Sequence, residues 1–373
     1  MILGAGASVQ FSLPIGGSLL DEIRRKVSSE LKLCTSFLHN YNYDRIISEF
    51  YGAQGYGVSP KGLDDKVYRR SPIFATYLYS IIGTTRATDA NFRALIAESK
   101  RAVKALHNQT ADTIDALIAQ NPSVSKILKI AVANIFFETL YDGEDSHMSG
   151  WTLHTLADRV LKDERNWVHL LINLVRHAHS EKWVSQSNKV KIITFNYDTI
   201  LEKILDDAFS NTEEKIPQWR ELIEVVHMHG CMPYLKNEVM NALECTASMA
   251  DAIEVATELQ PRQEVRDDRK QAAQWIKNAQ QIYACGFAFA GPNCRLLGLD
   301  ENRARKHIRF CNFDGAPGIT NSASRYGIYE VKAQNLQLPH RPLLIEDGPR
   351  PTKDETLSIT NWFYRGAPGE LPA

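Results

Sequence analysis

Met1-Ile-Leu-Gly-Ala-Gly-Ala-Ser8 is the stretch on which the fold turns. Apolar residues run straight into Gly-Ala-Gly-Ala-Ser and a helical pattern follows, the order of a buried first strand that turns into a helix. Gly4 and Gly6 lack a Cβ, so the backbone can adopt positive φ and its N–H groups can approach an anion closely. The helix start that follows adds oriented donors and the positive end of its dipole. A phosphate cradle and a tight turn that binds nothing both satisfy this pattern. With only three residues ahead of Gly4, either the numbered chain starts late or the first strand is very short and held mainly by its neighbours.

Two better-known glycine loops are excluded. The dinucleotide fingerprint G-x-G-x-x-G requires a third glycine where Val9 stands, and an acidic residue ending a second strand about 20 positions on. That region is Leu20-Asp-Glu-Ile-Arg-Arg-Lys-Val27, a helix pattern. The Gly-Lys-Ser/Thr of a P-loop is absent.

The 373 residues suffice for two domains, or for one with a large insertion. A net charge of −1 gives no general attraction to nucleic acid or to acidic membrane, so neither is expected as a direct partner. No apolar run reaches the roughly 18 residues that span a bilayer. The longest candidate, residues 127–140, is interrupted by Lys129 and Asn134 and reads as a buried helix. The N-terminus has no signal-peptide pattern. The cysteines at 34, 231, 245, 285, 294 and 311 form no C-x-x-C pair, so neither a zinc site nor a disulfide framework is expected. The expected location is cytoplasmic, with reduced thiols.

Outward from the loop, Leu19, Leu20, Ile23, Val27 and Leu31 mark an amphipathic helix over about 18–33. From about 35 to 185 the pattern is almost entirely helical, with segments at 73–82, 89–106, 113–119, 123–141 and 151–183. The period then changes. Strands are expected at 189–195, 222–229, 280–286, 306–311 and 327–331, with helices at 199–209 and 294–304 and a polar helical or loop stretch at 233–270. Strands alternating with helices imply a parallel sheet with crossovers. The expected fold is therefore α/β: a Rossmann-like, doubly wound parallel sheet with a large all-helical insertion after the first βα unit. The expected division is 1–34 with 186–335 for the sheet domain, 35–185 for the helical insertion, and 336–373 for an irregular C-terminal arm with six prolines. Ligands in such sheets bind outside the carboxyl ends of the strands. This brings residues 4–8, 196–198, 229–230 and 286–287 to one crevice.

Taken together, Gly4-Ala-Gly-Ala-Ser8, Thr194-Phe-Asn-Tyr-Asp198, His227-Met-His-Gly230 and Tyr283-Ala-Cys-Gly-Phe287 resemble the sirtuin family, in the divergent form found in prokaryotic anti-phage defence proteins. The likeness covers about 1–20 and 188–315. It implies that the glycine loop (Gly4, Ala5, Gly6 and Ser8) holds the diphosphate of NAD, with Ser8 donating to a phosphate. Asn196 and Asp198, with Thr194, would lie near the nicotinamide ribose, and His229 before Gly230 would act as general base. Gly286, Phe287 and Asn293 would line the adenosine side. The residue types suit the chemistry. A neutral Asn orients a hydroxyl or a water without adding charge, and a His takes up a proton near neutrality. Each residue also has a plain structural role open to it. Two residues apart on a strand, His227 and His229 would share a face and either could be an inert core group. Asn196 could cap a helix, an acid at position 198 suits a helix start, and Gly286 could simply end a strand.

The departures narrow the activity. The chain lacks the zinc ribbon of sirtuin deacylases, and Leu13-Pro-Ile-Gly-Gly17 stands where they carry Asp-Phe-Arg. Water is thus the expected nucleophile and no metal is expected. The resemblance implies an NAD+ glycohydrolase that makes nicotinamide and ADP-ribose, depleting NAD during abortive infection. It would be held in check by homo-oligomerisation or by a co-encoded partner such as a HerA-type ATPase or an Argonaute-like protein. The alternative is an NAD- or ADP-ribose-binding regulatory subunit without turnover. Protein deacylase and ADP-ribosyltransferase activities rank lower.

Overall fold

Ile2 and Leu3 form the middle of the sheet. In the computed structural model they make strand β1 (Ile2–Leu3), followed by β2 (Val190–Thr194), β3 (Ile223–His227), β4 (Gln281–Cys285) and β5 (His307–Cys311). The structure describes residues 1–11, 13–14, 16–40, 71–82, 89–108, 111, 113–140, 160–163, 166–210, 218–232, 242–256, 261–279, 281–300, 307–311, 322–323 and 326. The sheet runs β3-β2-β1-β4-β5 with every pairing parallel. Ile2 pairs with Ile193 and Ala284, and Leu3 with Thr194 and Cys285. Two residues suffice for a central strand because both neighbours complete its ladder, and both side chains are buried.

The two residues of β1 feed different cores, as strand alternation demands. Ile2 joins Ile193, Val226, Ile282, Ala284, Ile308 and Phe310 in one apolar cluster. Leu3 joins Ile192, Ile223 and a much larger cluster that runs through the helices. Strands of a parallel sheet covered on both faces carry such continuous Val/Ile runs.

The helices lying between β1 and β2 in the chain are α1 (Gly16–Asn40), α2 (Pro72–Ile82), α3 (Asp89–His107), α4 (Ile114–Gln120), α5 (Ser125–Leu140) and α6 (Trp167–Ser180). Helix α1 extends well past the expected end at 33, so a division after residue 34 falls inside it. Most of α5 is buried, including Asn134, whose amide donates back to Ile130 O at 3.0 Å. The single helix expected over 151–183 is not continuous among the described residues, since 163 and 166 are not helical. There the side chain of Asn166 accepts the Val168 N–H at 2.9 Å and starts α6 afresh. Beyond β2 come α7 (Ile200–Ser210), α8 (Trp219–Leu222), α9 (Ala242–Ala252), α10 (Gln263–Asn278) and α11 (Gly291–Leu296). The expected helix at 294–304 instead begins at Gly291 and ends at Leu296. Helix α9 packs on α2 and α5, so a segment that follows β3 closes the helical layer. Among the described residues no helix is long and apolar enough to cross a membrane. The expected strand at 327–331 and the arm at 336–373 lie outside the described residues.

One buried acid joins two of these helices. Glu30 of α1 accepts the N–H groups of Ile73 (3.2 Å) and Phe74 (3.0 Å) at the start of α2. Two orphan donors of the helix end are satisfied in this way. Burial pushes the Glu30 carboxyl up to about 8, against those two bonds and Lys26. The folded protein thus holds a proton here that the unfolded chain releases above about 4.5. Stability from this group is greatest below that pH and falls as pH rises towards 8. Glu30→Gln is expected to flatten the decline in melting temperature between pH 5 and pH 8.5. An unchanged slope in a thermal unfolding series would remove this assignment.

Candidate active site at the carboxyl ends of the strands

The ends of β1 and β4 are locked together through backbone. The Gly4 N–H donates to Cys285 O (3.0 Å) and the Gly6 N–H to Gly286 O (3.2 Å). A Cβ on Gly4 would stand 2.3 Å from Gly286 O, and one on Gly6 2.8 Å from Gly286 Cα. Gly286 has φ +60°, and its own Cβ would stand 2.3 Å from Ala7 N. The glycines are therefore required by a loop-to-loop contact. Both amides are thus already committed, Gly4 to the last residue of β4 and Gly6 to the residue just past it. The remaining face of the turn is the exposed Ala5 and the side chain of Ser8. Residues 5–11 form a 3₁₀ helix, tied to α6 by the Trp167 indole N–H on Ala7 O (3.0 Å).

Ser8 joins the loop after β2. Asn196 Nδ2 donates to Ser8 Oγ (2.7 Å), which donates to Asp198 Oδ2 (3.2 Å). Asp198 Oδ1 accepts the Ile200 N–H (3.2 Å), so Asp198, rather than Asn196, satisfies a free donor at the start of α7. Thr194 Oγ1 accepts the Asn196 N–H (3.1 Å) and fixes where that residue leaves the strand. With Nδ2 committed to Ser8, Asn196 Oδ1 is buried and has no hydrogen-bond partner among the described residues. Such an atom costs about 1–3 kcal/mol. Burial pushes the Asp198 carboxyl up to about 6, opposed by the bonds from Ile200 and Ser8 and by His227.

The two histidines part company. Strand β3 ends at His227, so its alternation does not carry on to His229. His227 Nε2 meets Glu202 of α7 at 2.6 Å, Nδ1 meets Asn196 O at 3.3 Å, and its N–H donates to Asp268 of α10 (3.0 Å). Burial lowers its pKa, but Glu202 and the Cys231 thiol outweigh that and hold the ring charged well above its usual range. His227 is thus a buried ion-pair partner. His229 is completely buried and packs on Phe195 (5.3 Å between ring centres) and edge-on to Tyr197 (6.0 Å). Its Nδ1 lies 3.0 Å from Asp115 Oδ1, and its Nε2 lies 3.3 Å from Asn293 Oδ1. The Nδ1 contact is close, and it is the polar contact that atom makes among the described residues.

Asp115 was not anticipated from the sequence. It stands in the first turn of α4, which Thr113 caps by accepting the Ala116 N–H (3.2 Å). The Tyr197 hydroxyl also donates to its Oδ1. Burial pushes the Asp115 carboxyl up, yet His229 and Tyr197 together bring it below its ordinary value, so it stays ionised.

Among the other expected residues, Asn293 reaches the crevice through His229, while the Phe287 side chain does not. It stacks in the core against Phe195 (4.9 Å) and Phe289 (5.0 Å). Gly230 takes φ +73° beside α9, where a Cβ would stand 2.1 Å from Ala252 O. The crevice therefore assembles Ser8, Asn196, Asp198, His229 and Asn293, with Asp115 added from a helix. Ser8, Asn196 and Asp198 form one hydrogen-bonded group, which holds the orphan acceptor, and Asp115, His229 and Asn293 form a second, with an imidazole and a carboxylate in contact. No family model matches this chain, and no curated protein or solved structure matches it at a significant level.

Proposed function

We propose that this crevice binds NAD+ and hydrolyses it to nicotinamide and ADP-ribose, in a sirtuin-like, Rossmann-like doubly wound domain with a helical insertion after its first βα unit. The observation that carries the reading is Asn196 Oδ1, a buried acceptor with no hydrogen-bond partner among the described residues, on a side chain that also bonds Ser8. A ribose hydroxyl or an ordered water satisfies that acceptor without adding charge. The glycosidic C–N bond breaks with its electron pair passing to nicotinamide, and water adds to C1 of the ribose. His229 Nε2 takes the proton that water releases, so Asn293 must yield its place on that atom when substrate enters. Gly4, Ala5, Gly6, Ser8, Thr194, Asp198, Gly230, Gly286 and Asn293 frame the pocket. Ser8 serves the diphosphate, and Phe287 contributes from beneath. The proposed setting is cytoplasmic abortive-infection defence, with activity governed by homo-oligomerisation or by a co-encoded ATPase or Argonaute-like partner.

Nicotinamide release from NAD+, with and without the neighbouring gene's product, tests this reading. Asn196→Ala is expected to reduce release about 100-fold. Tight NAD+ or ADP-ribose binding by calorimetry with no release under any condition would replace the hydrolase by a binding subunit.

A further inference from the structure

We propose that Asp115, carried by the helical segment between β1 and β2, is the positioning residue of His229, so that a helix outside the sheet completes the active site. The inference rests on the hydrolase reading for its catalytic consequence, and on geometry for its substance. A histidine that is to accept a proton through Nε2 must carry its own proton on Nδ1, and the group facing Nδ1 decides this. Here that group is a carboxylate oxygen at 3.0 Å. The carboxylate is held in turn by the Tyr197 hydroxyl, and Tyr197 also walls one edge of the imidazole. Thr113 fixes the start of α4 and thereby where Asp115 stands. The other groups about the ring are accounted for. Asn293 is the competing group, since its Oδ1 can only accept and draws a proton to Nε2, but at 3.3 Å it is a weaker acceptor than the ionised carboxylate at 3.0 Å. The Glu254 N–H donates to His229 O (2.8 Å), the Glu254 carboxylate pairs with Arg262, and Arg269 donates to Met228 O (2.9 Å). Among the described residues, Asp115 is thus the carboxylate in contact with the ring. An orienting carboxylate of this kind fixes tautomer and ring plane, as it does for metal-bound histidines.

The test combines kinetics with the state of the ring in the full-length protein. Histidine ¹⁵N resonances, with that of His229 assigned by its loss in His229→Gln, report which nitrogen bears the proton at a pH where the ring is neutral. The wild type is expected to show Nδ1–H. In Asp115→Asn the side-chain amide can donate to Nδ1, so the proton is expected to shift towards Nε2. NAD+ turnover should fall about 100-fold in kcat with KM changing by less than about threefold. Tyr197→Phe keeps the carboxylate, so Nδ1–H should persist and kcat should fall less than tenfold. A wild-type Nε2–H tautomer overturns the proposal. So does an Asp115→Asn protein whose tautomer is unchanged, whatever its kcat, or a Tyr197→Phe loss as large as that of Asp115→Asn. If no form releases nicotinamide but the tautomer shifts as described, Asp115 keeps its positioning role and the hydrolase reading falls alone.

Discussion

His229→Ala is expected to lower nicotinamide release by about 10²- to 10⁴-fold, the range for removal of a general base. The same change should cost stability. His229 is completely enclosed, and removing its ring leaves the Asp115 carboxylate facing a void with Tyr197 as its remaining partner. A partly buried charge deprived of its partner costs less than the few kcal/mol of a fully enclosed one, about 1–2 kcal/mol. His229→Gln retains a polar group of similar length and separates the two effects. It should recover much of the melting temperature and little of the activity. A His229→Gln protein with near-normal turnover would show that the ring does no chemistry. His227→Gln makes the contrast, since it breaks the 2.6 Å pair with Glu202 and should act first on stability.

Gly286→Ala is expected to destabilise the protein by about 3 kcal/mol or more. Roughly 1–2 kcal/mol comes from placing an L side chain at φ +60°. Overpacking typically adds another 1–3 kcal/mol, because the new Cβ would stand 2.3 Å from Ala7 N and 2.4 Å from Gly6 C, both backbone atoms that cannot swing away. Urea unfolding would measure the loss. A change below about 1 kcal/mol would mean that the β1 and β4 loops are not locked as described. The substitution should also carry Ser8 out of reach of Asn196, so activity and stability are expected to fall together.

The sheet was legible because parallel strands buried on both faces are written as short β-branched runs, and those after β2 and β4 close on Asn-Tyr-Asp and on Gly. Four of the five expected strands lie within one or two residues of their observed ends, and β1 was legible from its glycine turn. The stretch 233–270 was less legible. Helix α10 buries Val265, Ala272 and Ile276 on a surface otherwise rich in charge, so its apolar stripe is thin. The break before α6 was overlooked because Asn166 stands within an otherwise continuous periodic pattern, and its capping role shows only in the hydrogen bond it makes. In the candidate site, residues beside strand ends could be placed from the strands themselves. Asp115 could not. It lies more than a hundred residues from His229, and an acid in a helix's first turn already has a sufficient local reason. The glycines taught the reverse lesson: a motif that suits a phosphate suits equally a neighbouring backbone.

Whether this crevice cleaves NAD+ is tested most directly by incubating the full-length protein with NAD+ and quantifying products by chromatography, against an Asn196→Ala, His229→Ala double variant. The account predicts nicotinamide and ADP-ribose in equal amounts from the wild type and neither above background from the variant. Intact NAD+ after incubation both alone and with the neighbouring gene's product, or equal product formation by the double variant, would contradict it.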